Sequence, residues 1–276
     1  MRSIGFTGAL PALERTGRVT QLRVALSEWT KLRSVRSTRW SLAIAVLLTI
    51  GFPLLFAAVT SSHWGSMSPH ERANRHPLDI ALAGVNVSQL AIAVLGVLVI
   101  TAEYSTGMIR ASFIAVPKRL PVLWAKLGVY AIVSFVLSVP SVIIAFFASQ
   151  AILAKHDILQ ISFAHGGVAR AVIGGAVYLM LVGIFAMALG AIVRNTAGGI
   201  ALFAGIFFVI PPLLNVLPSS WNNAISPWLP DSAGRAVFSL TTGAHQLHPL
   251  PGVLLFAGYC AGAIAIAAVL LVRRDT

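Results

Sequence analysis

The sequence predicts an all-α, polytopic membrane protein: six transmembrane helices, an N-terminal amphipathic elbow helix before them, and a re-entrant outer segment before the last span. Three observations predict it. Of 276 residues, 57% are hydrophobic and only 10% are charged, against roughly 25% charged in a soluble globular chain. The apolar residues stand in long blocks without Asp, Glu, Lys, Arg or His; about 20 such residues span a hydrocarbon core about 30 Å thick, at about 1.5 Å per helical residue. The basic residues crowd to one side of those blocks, as the positive-inside rule requires.

The spans fall at residues 40–60, 80–102, 127–153, 171–193, 197–217 and 250–272. With the N-terminus in the cytoplasm, fifteen of the twenty Lys and Arg lie inside and five outside, these being Arg72, Arg75, Lys155, Arg170 and Arg235. Both termini are then cytoplasmic, in a plasma or inner membrane. Trp40 and Trp124 at inner span ends, and Trp64, Trp221 and Trp228 outside, suit the water–lipid boundary. The net charge of +12 is read as juxtamembrane charge meeting anionic lipid, not as a nucleic-acid surface. The one cysteine, Cys260, sits in an apolar block and reads as a small buried residue. No cleavable signal peptide is expected: the first forty residues are polar and basic.

Residues 1–19 show no pattern and are expected to be a disordered cytoplasmic tail; residues 20–276 form the transmembrane domain. Residues 21–36 read QLRVALSEWTKLRSVR. Leu22, Leu26, Trp29 and Leu32 recur at helical spacing, while Arg23, Glu28, Lys31, Arg33 and Arg36 fill the rest. This predicts a basic amphipathic helix lying along the inner membrane surface. Pro140 predicts a kink in the third span. Only Arg194, Asn195 and Thr196 join the fourth and fifth spans, which predicts a tight helical hairpin. Residues 210–251 are proline-rich yet apolar. They read as short broken helices dipping back into the outer leaflet, or as an ordinary surface loop.

The loop TAEYSTGMIRASFIAVPKRLPVLWAK, residues 101–126, follows the second span. Glu103 stands where that span leaves the membrane, Gly107 can break the helix, and Met108 to Val116 can form a short surface helix studded with Arg110, Lys118 and Arg119. It reads as a basic inner loop or as a docking helix for a cytoplasmic partner. Together, SEWTKLRSVRSTRW before the first span and ITAEYSTGMIRASFIAVPKR after the second resemble the permease subunits of type-two ABC transporters. The resemblance extends over nearly the whole chain, and the EY-x-x-G stretch is its most specific part. It implies pairing with a second permease chain, as a homodimer or with a related permease, above two ABC ATPase subunits that carry ATP and magnesium. Glu103, Tyr104, Gly107 and Arg110 would then form the gate and coupling region. The elbow helix, with Glu28, Trp29, Lys31 and Arg33, would contact the ATPase. The chain itself would be a non-catalytic subunit of an exporter.

The residues agree with that division of labour. The chain has no GxxxxGK[ST] phosphate loop. Proton-driven transporters place ionisable groups within spans, and the six blocks hold none, which points to an external engine and away from a membrane enzyme. A stand-alone transporter, secondary or passive, and a non-transporting scaffold or assembly protein remain as alternatives. Gly258 and Gly262 make a GxxxG on the last span, with Ala186–Gly190 and Ala201–Gly205 as looser versions that would let helices approach closely. The seven histidines all fall outside in this topology; His245 and His248, one turn apart, are the best candidate metal or pH-sensing pair. Asn86, Gln89, Ser138 and Asn215 are candidates to line a substrate path, or to bond between helices.

Overall fold

A computed structural model describes residues 20–105, 119–158, 160–241, 243 and 245–273. The tail 1–19, the helix expected over 108–116, and the coupling candidates Gly107 and Arg110 lie outside the described residues. Among the described residues the protein is all-helical, and six helical runs are long and apolar enough to cross a membrane.

Helix α1 (Gln21–Ser34) is capped by the Thr20 hydroxyl, which accepts from Arg23 N–H, and ends at the extended residue Val35. Helix α2 (Arg36–His63) is the first span and α4 (Pro77–Ser105) the second; between them a short α3 (Pro69–Ala73) begins with a Ser68–Glu71 capping box. Helix α5 (Arg119–Ala154) runs unbroken through Pro140. Its apolar run of 35 residues is roughly 50 Å long at helical rise, so it tilts in or projects from a 30 Å layer. Helix α6 (Val168–Val193) is the fourth span. The fifth is composite: α7 (Thr196–Ala204), a π-helical turn Gly205–Val209, and α8 (Ile210–Leu214). Pro211 and Pro212 bring no N–H, so the regular i→i−4 ladder fails there, and Ile210 N–H instead reaches back to Gly205 O. Short helices α9 (Ser219–Ile225) and α10 (Pro230–Arg235) follow, then α11 (Pro249–Arg273). The helices outlast the apolar blocks: Arg36, Asp79 and Glu103 stand in helical end turns, and Lys126 stands two turns inside α5.

Helix α6 is the axis of the bundle, packed by α4, α5, α7 and α11, and it is the most buried span. Glycines set the distances. At the centre, Gly96 on α4 lies so close to α6 that an added Cβ would sit 2.5 Å from Gly183 O. Gly183 in turn leaves room for the Tyr130 ring of α5, whose hydroxyl donates to Ile92 O at 2.7 Å. Pro53 in α2 lacks the N–H that would bond Thr49 O, and Gly84 of α4 sits against that freed carbonyl. The expected Gly258–Gly262 pair does not act within the chain: both are exposed, and an added Cβ would meet open space. Of the looser pairs, Ala186 is buried and Gly190 packs on Val97, while Gly205 faces open space.

The predicted hairpin forms. Arg194 takes the left-handed conformation (φ 57°) and closes α6, and the Asn195 side chain caps α7 by accepting from Gly198 N–H at 2.9 Å. Arg194 sits beside the last helix, donating to Leu270 O at 3.1 Å. Helix α1, the end of α4, the start of α5, this hairpin and the end of α11 therefore share one end of the bundle, here called basal. The short helices α9 and α10 lie at the opposite, distal end, where Arg170 holds Val237 O and Ser239 O at 2.7 and 2.8 Å.

Candidate functional site

The basal end is built on a cluster of four charges. Lys126, on α5, is buried and donates to Glu28 Oε2 at 2.5 Å and Glu103 Oε1 at 3.0 Å. Lys31, on α1, donates to Glu28 Oε1 at 2.7 Å and Glu103 Oε1 at 2.9 Å. Two carboxylates and two ammonium groups thus balance, and each lysine bridges both glutamates. The helices explain the geometry. Glu28 and Lys31 are one turn apart on α1, and that face packs on α5 through Val24, Val122 and Ala125. Burial works against the Lys31 ammonium, but Glu28 and Glu103 outweigh it and hold its pKa above the ordinary lysine value. The second Glu103 oxygen, Oε2, is buried without a hydrogen bond. A cavity of about 320 Å³ opens beside it, walled by Leu32, Val35, Leu98 and Val99.

The contacts of α1 divide its two faces unequally between protein and surroundings. Glu28, from the polar face, is buried; of the apolar stripe Leu32 is buried too, while Leu22, Leu26 and Trp29 are exposed. Glu28 and Lys31 meet protein, and Leu22, Leu26 and Trp29 face outward, where lipid can cover them. Lys126, read from sequence as a loop charge, lies inside the bundle.

Tyr104, next to Glu103, is tied the other way. The Arg194 guanidinium lies over its ring at 5.2 Å. One turn earlier Thr101 meets Thr196 of α7, oxygen to oxygen at 2.7 Å. The last turns of α4 are thus clamped on one side to α1 and α5 and on the other to the hairpin and α11. Of the other elbow candidates, Trp29 and Arg33 are exposed.

A second polar cluster lies toward the distal end. Helix α10 brings Asp231 into the bundle, where it is buried and accepts from Tyr178 Oη at 2.9 Å and Arg235 Nε at 2.8 Å. Tyr178 Oη also contacts Gln89 Oε1. A phenol has one proton, and the carboxylate is the stronger acceptor. Turning the Gln89 carboxamide by half a turn lets Nε2 donate to Tyr178 Oη, and gives the otherwise unpartnered Nε2 a bond. Tyr178 lies roughly 15 Å along α6 from Val168, so the carboxylate reaches well into the bundle. Gly234 permits this, since a Cβ there would lie 2.5 Å from the Tyr178 ring. Replacing Tyr178 with Phe is expected to cost about 1–3 kcal/mol, by leaving Asp231 and Gln89 short of a partner. Thermal melts of the Tyr178→Phe and Gln89→Leu variants and their double would test it. Additive losses would mean that the two side chains do not interact.

The path candidates are not gathered in one place. Gln89 joins the Asp231 cluster. Asn86 lies one turn away on α4, its Oδ1 buried without a hydrogen bond. Ser138 lines a small gap with Thr49 and Ser141 between α2, α4 and α5. Asn215 is exposed beyond α8 and accepts from Asn222 at 3.2 Å. Among the described residues no three of His, Cys, Asp and Glu gather to hold a metal ion. Sequence reasoning missed Lys126 and Asp231 as site residues. Their signals were weak: a lysine one residue before an apolar block, and an Asp-x-x-x-Arg step in a proline-rich segment. No protein-family model matches the chain, and no curated protein matches it in sequence.

Proposed function

We propose that the protein is the transmembrane permease subunit of an ATP-driven exporter, working with a separate ATPase subunit and a second permease chain. The double clamp on the end of α4 carries this reading. Residues 106–118 connect that end to α5, and Glu103 and Tyr104 tie it to α1, α5, the α6–α7 hairpin and α11. A push delivered to this connection from outside the membrane would reach most of the basal bundle at once. The scarcity of ionisable groups in the spans agrees with an external energy source. In this reading the basal end is cytoplasmic, α1 lies on the inner surface with Leu22, Leu26 and Trp29 in lipid, and the distal segment with Trp221 and Trp228 sits in the outer leaflet. An even number of crossings returns both termini to the cytoplasm.

Purification of the tagged chain from its native membrane in mild detergent, with mass spectrometry of what comes with it, is the test. A stoichiometric protein carrying a phosphate-loop ATPase is expected. If the chain comes down alone, under conditions where other ABC complexes survive, the reading fails.

The buried Asp231–Tyr178 pair favours one second reading, a stand-alone ion-coupled transporter, because it places a carboxylate inside the bundle that the spans alone do not contain. Solute movement driven by an ion gradient, in vesicles containing this chain only, would establish that reading instead.

A further inference from the structure

We propose that the groove between α1, α2 and α5 at the basal end is a binding site for one anionic phospholipid. The groove has a volume of about 360 Å³, within the range of small-molecule sites. Leu32 of α1, Leu42 of α2, and Ile132, Val133, Val136 and Leu137 of α5 line it, with Trp29 beside them. Two further residues complete the lining, Arg33 of α1 and Arg39 of α2. They approach from either side of the corner at Val35.

The charges identify the occupant. Arg33 and Arg39 are exposed and form no ion pair among the described residues. The nearby carboxylates, Glu28 and Glu103, are both held by Lys31 and Lys126. Two guanidinium groups therefore stand at an apolar slot without a counter-anion among the described residues. Guanidinium pairs with phosphate through two parallel N–H···O bonds, and basic pockets between membrane helices take lipid headgroups in this way. The apolar walls favour a ligand that carries an acyl chain over a free phosphate or nucleotide, which would leave Val136 and Leu137 uncovered. Ile132 to Leu137 lie within the membrane-spanning run of α5, so the apolar part of the ligand enters from the bilayer itself. An acyl chain attached to a phosphate satisfies both ends, and Trp29 suits the boundary between them.

The site also touches the charge cluster. Leu32 forms a wall of this groove and of the cavity beside Glu103. A bound lipid would seat α1 and hold Glu28 and Lys31 against α4 and α5. This inference rests on the helices crossing a bilayer, not on the transporter assignment.

The test uses the full chain in nanodiscs of equal parts phosphatidylcholine and phosphatidylglycerol, released into native mass spectrometry to count retained lipid. Wild type should retain one phosphatidylglycerol in preference to phosphatidylcholine. The double variant Arg33→Gln/Arg39→Gln should lose that preference by at least about tenfold. Val136→Trp, which fills the slot without altering charge, should lose the retained lipid, while Arg23→Gln, outside the groove, should keep it. Equal retention of both lipids by wild type would overturn the proposal. So would an undiminished preference in the double variant or in Val136→Trp.

Discussion

Replacing Lys126 with Met is expected to cost about 3–5 kcal/mol of stability, because it leaves buried carboxylates without their shared ammonium. Glu28 and Glu103 are both nearly excluded from solvent, and Lys126 is the more buried of the two lysines between them, with 5% of its side chain accessible against 29% for Lys31. In the variant two negative charges share one positive charge. Lys31→Met should therefore cost less, since the lysine that remains is the buried one. Adding Glu28→Gln to Lys126→Met restores one charge of each sign, and should recover part of the loss. Melting curves of the purified variants decide it: a Lys126→Met protein that melts with wild type would mean that the four charges do not hold α1 to the bundle. The same comparison bears on the coupling reading, because a cluster that links α1 to α4 must matter to both.

Replacing Gly96 with Leu is expected to disrupt the bundle, at a cost of at least about 3 kcal/mol. Between membrane helices there is no gain from leaving water, so close packing carries much of their association. At Gly96 a Cβ would stand 2.5 Å from Gly183 O and 3.3 Å from Met187 N, both backbone atoms. No rotamer change relieves that; α4 and α6 must separate. Separation would also disturb Tyr130, which packs on Gly183 and bonds Ile92 O across the same junction. Gly258→Leu on α11 is the contrast, since a side chain there meets open space. Recovery of folded protein after size-exclusion chromatography should fall sharply for Gly96→Leu and hold for Gly258→Leu. Equal recovery would show that the α4–α6 contact is looser than the structure has it.

The two glycine positions also show where pattern reading loses force. The GxxxG of the last span is the more conspicuous motif, yet the chain packs on Gly96 and Gly183, which stand alone among larger residues. A motif records that a close approach is possible; only the neighbouring helix decides whether it happens. Helix α1 makes the same point for charge. Its apolar stripe at Leu22, Leu26 and Trp29 is plain in the sequence, and in a soluble protein it would mark the buried side. Beside a membrane, lipid can cover such a stripe, and the protein-facing side is free to be the charged one.

What the amino-acid order determined alone is what depends on local composition. Long uncharged apolar blocks specify six helices long enough to cross a membrane, because a helix satisfies its backbone groups within its own segment. Arg194, Asn195 and Thr196 specify a tight hairpin, because three residues allow little else. The tertiary structure decided what depends on contacts distant in sequence. Glu28 meets Lys126 across 98 positions, and Tyr178 meets Asp231 across 53. A single charge or hydroxyl carries no periodic signal of its own. Its meaning is set by the partner that compensates its burial, and that partner is known only once the helices have packed.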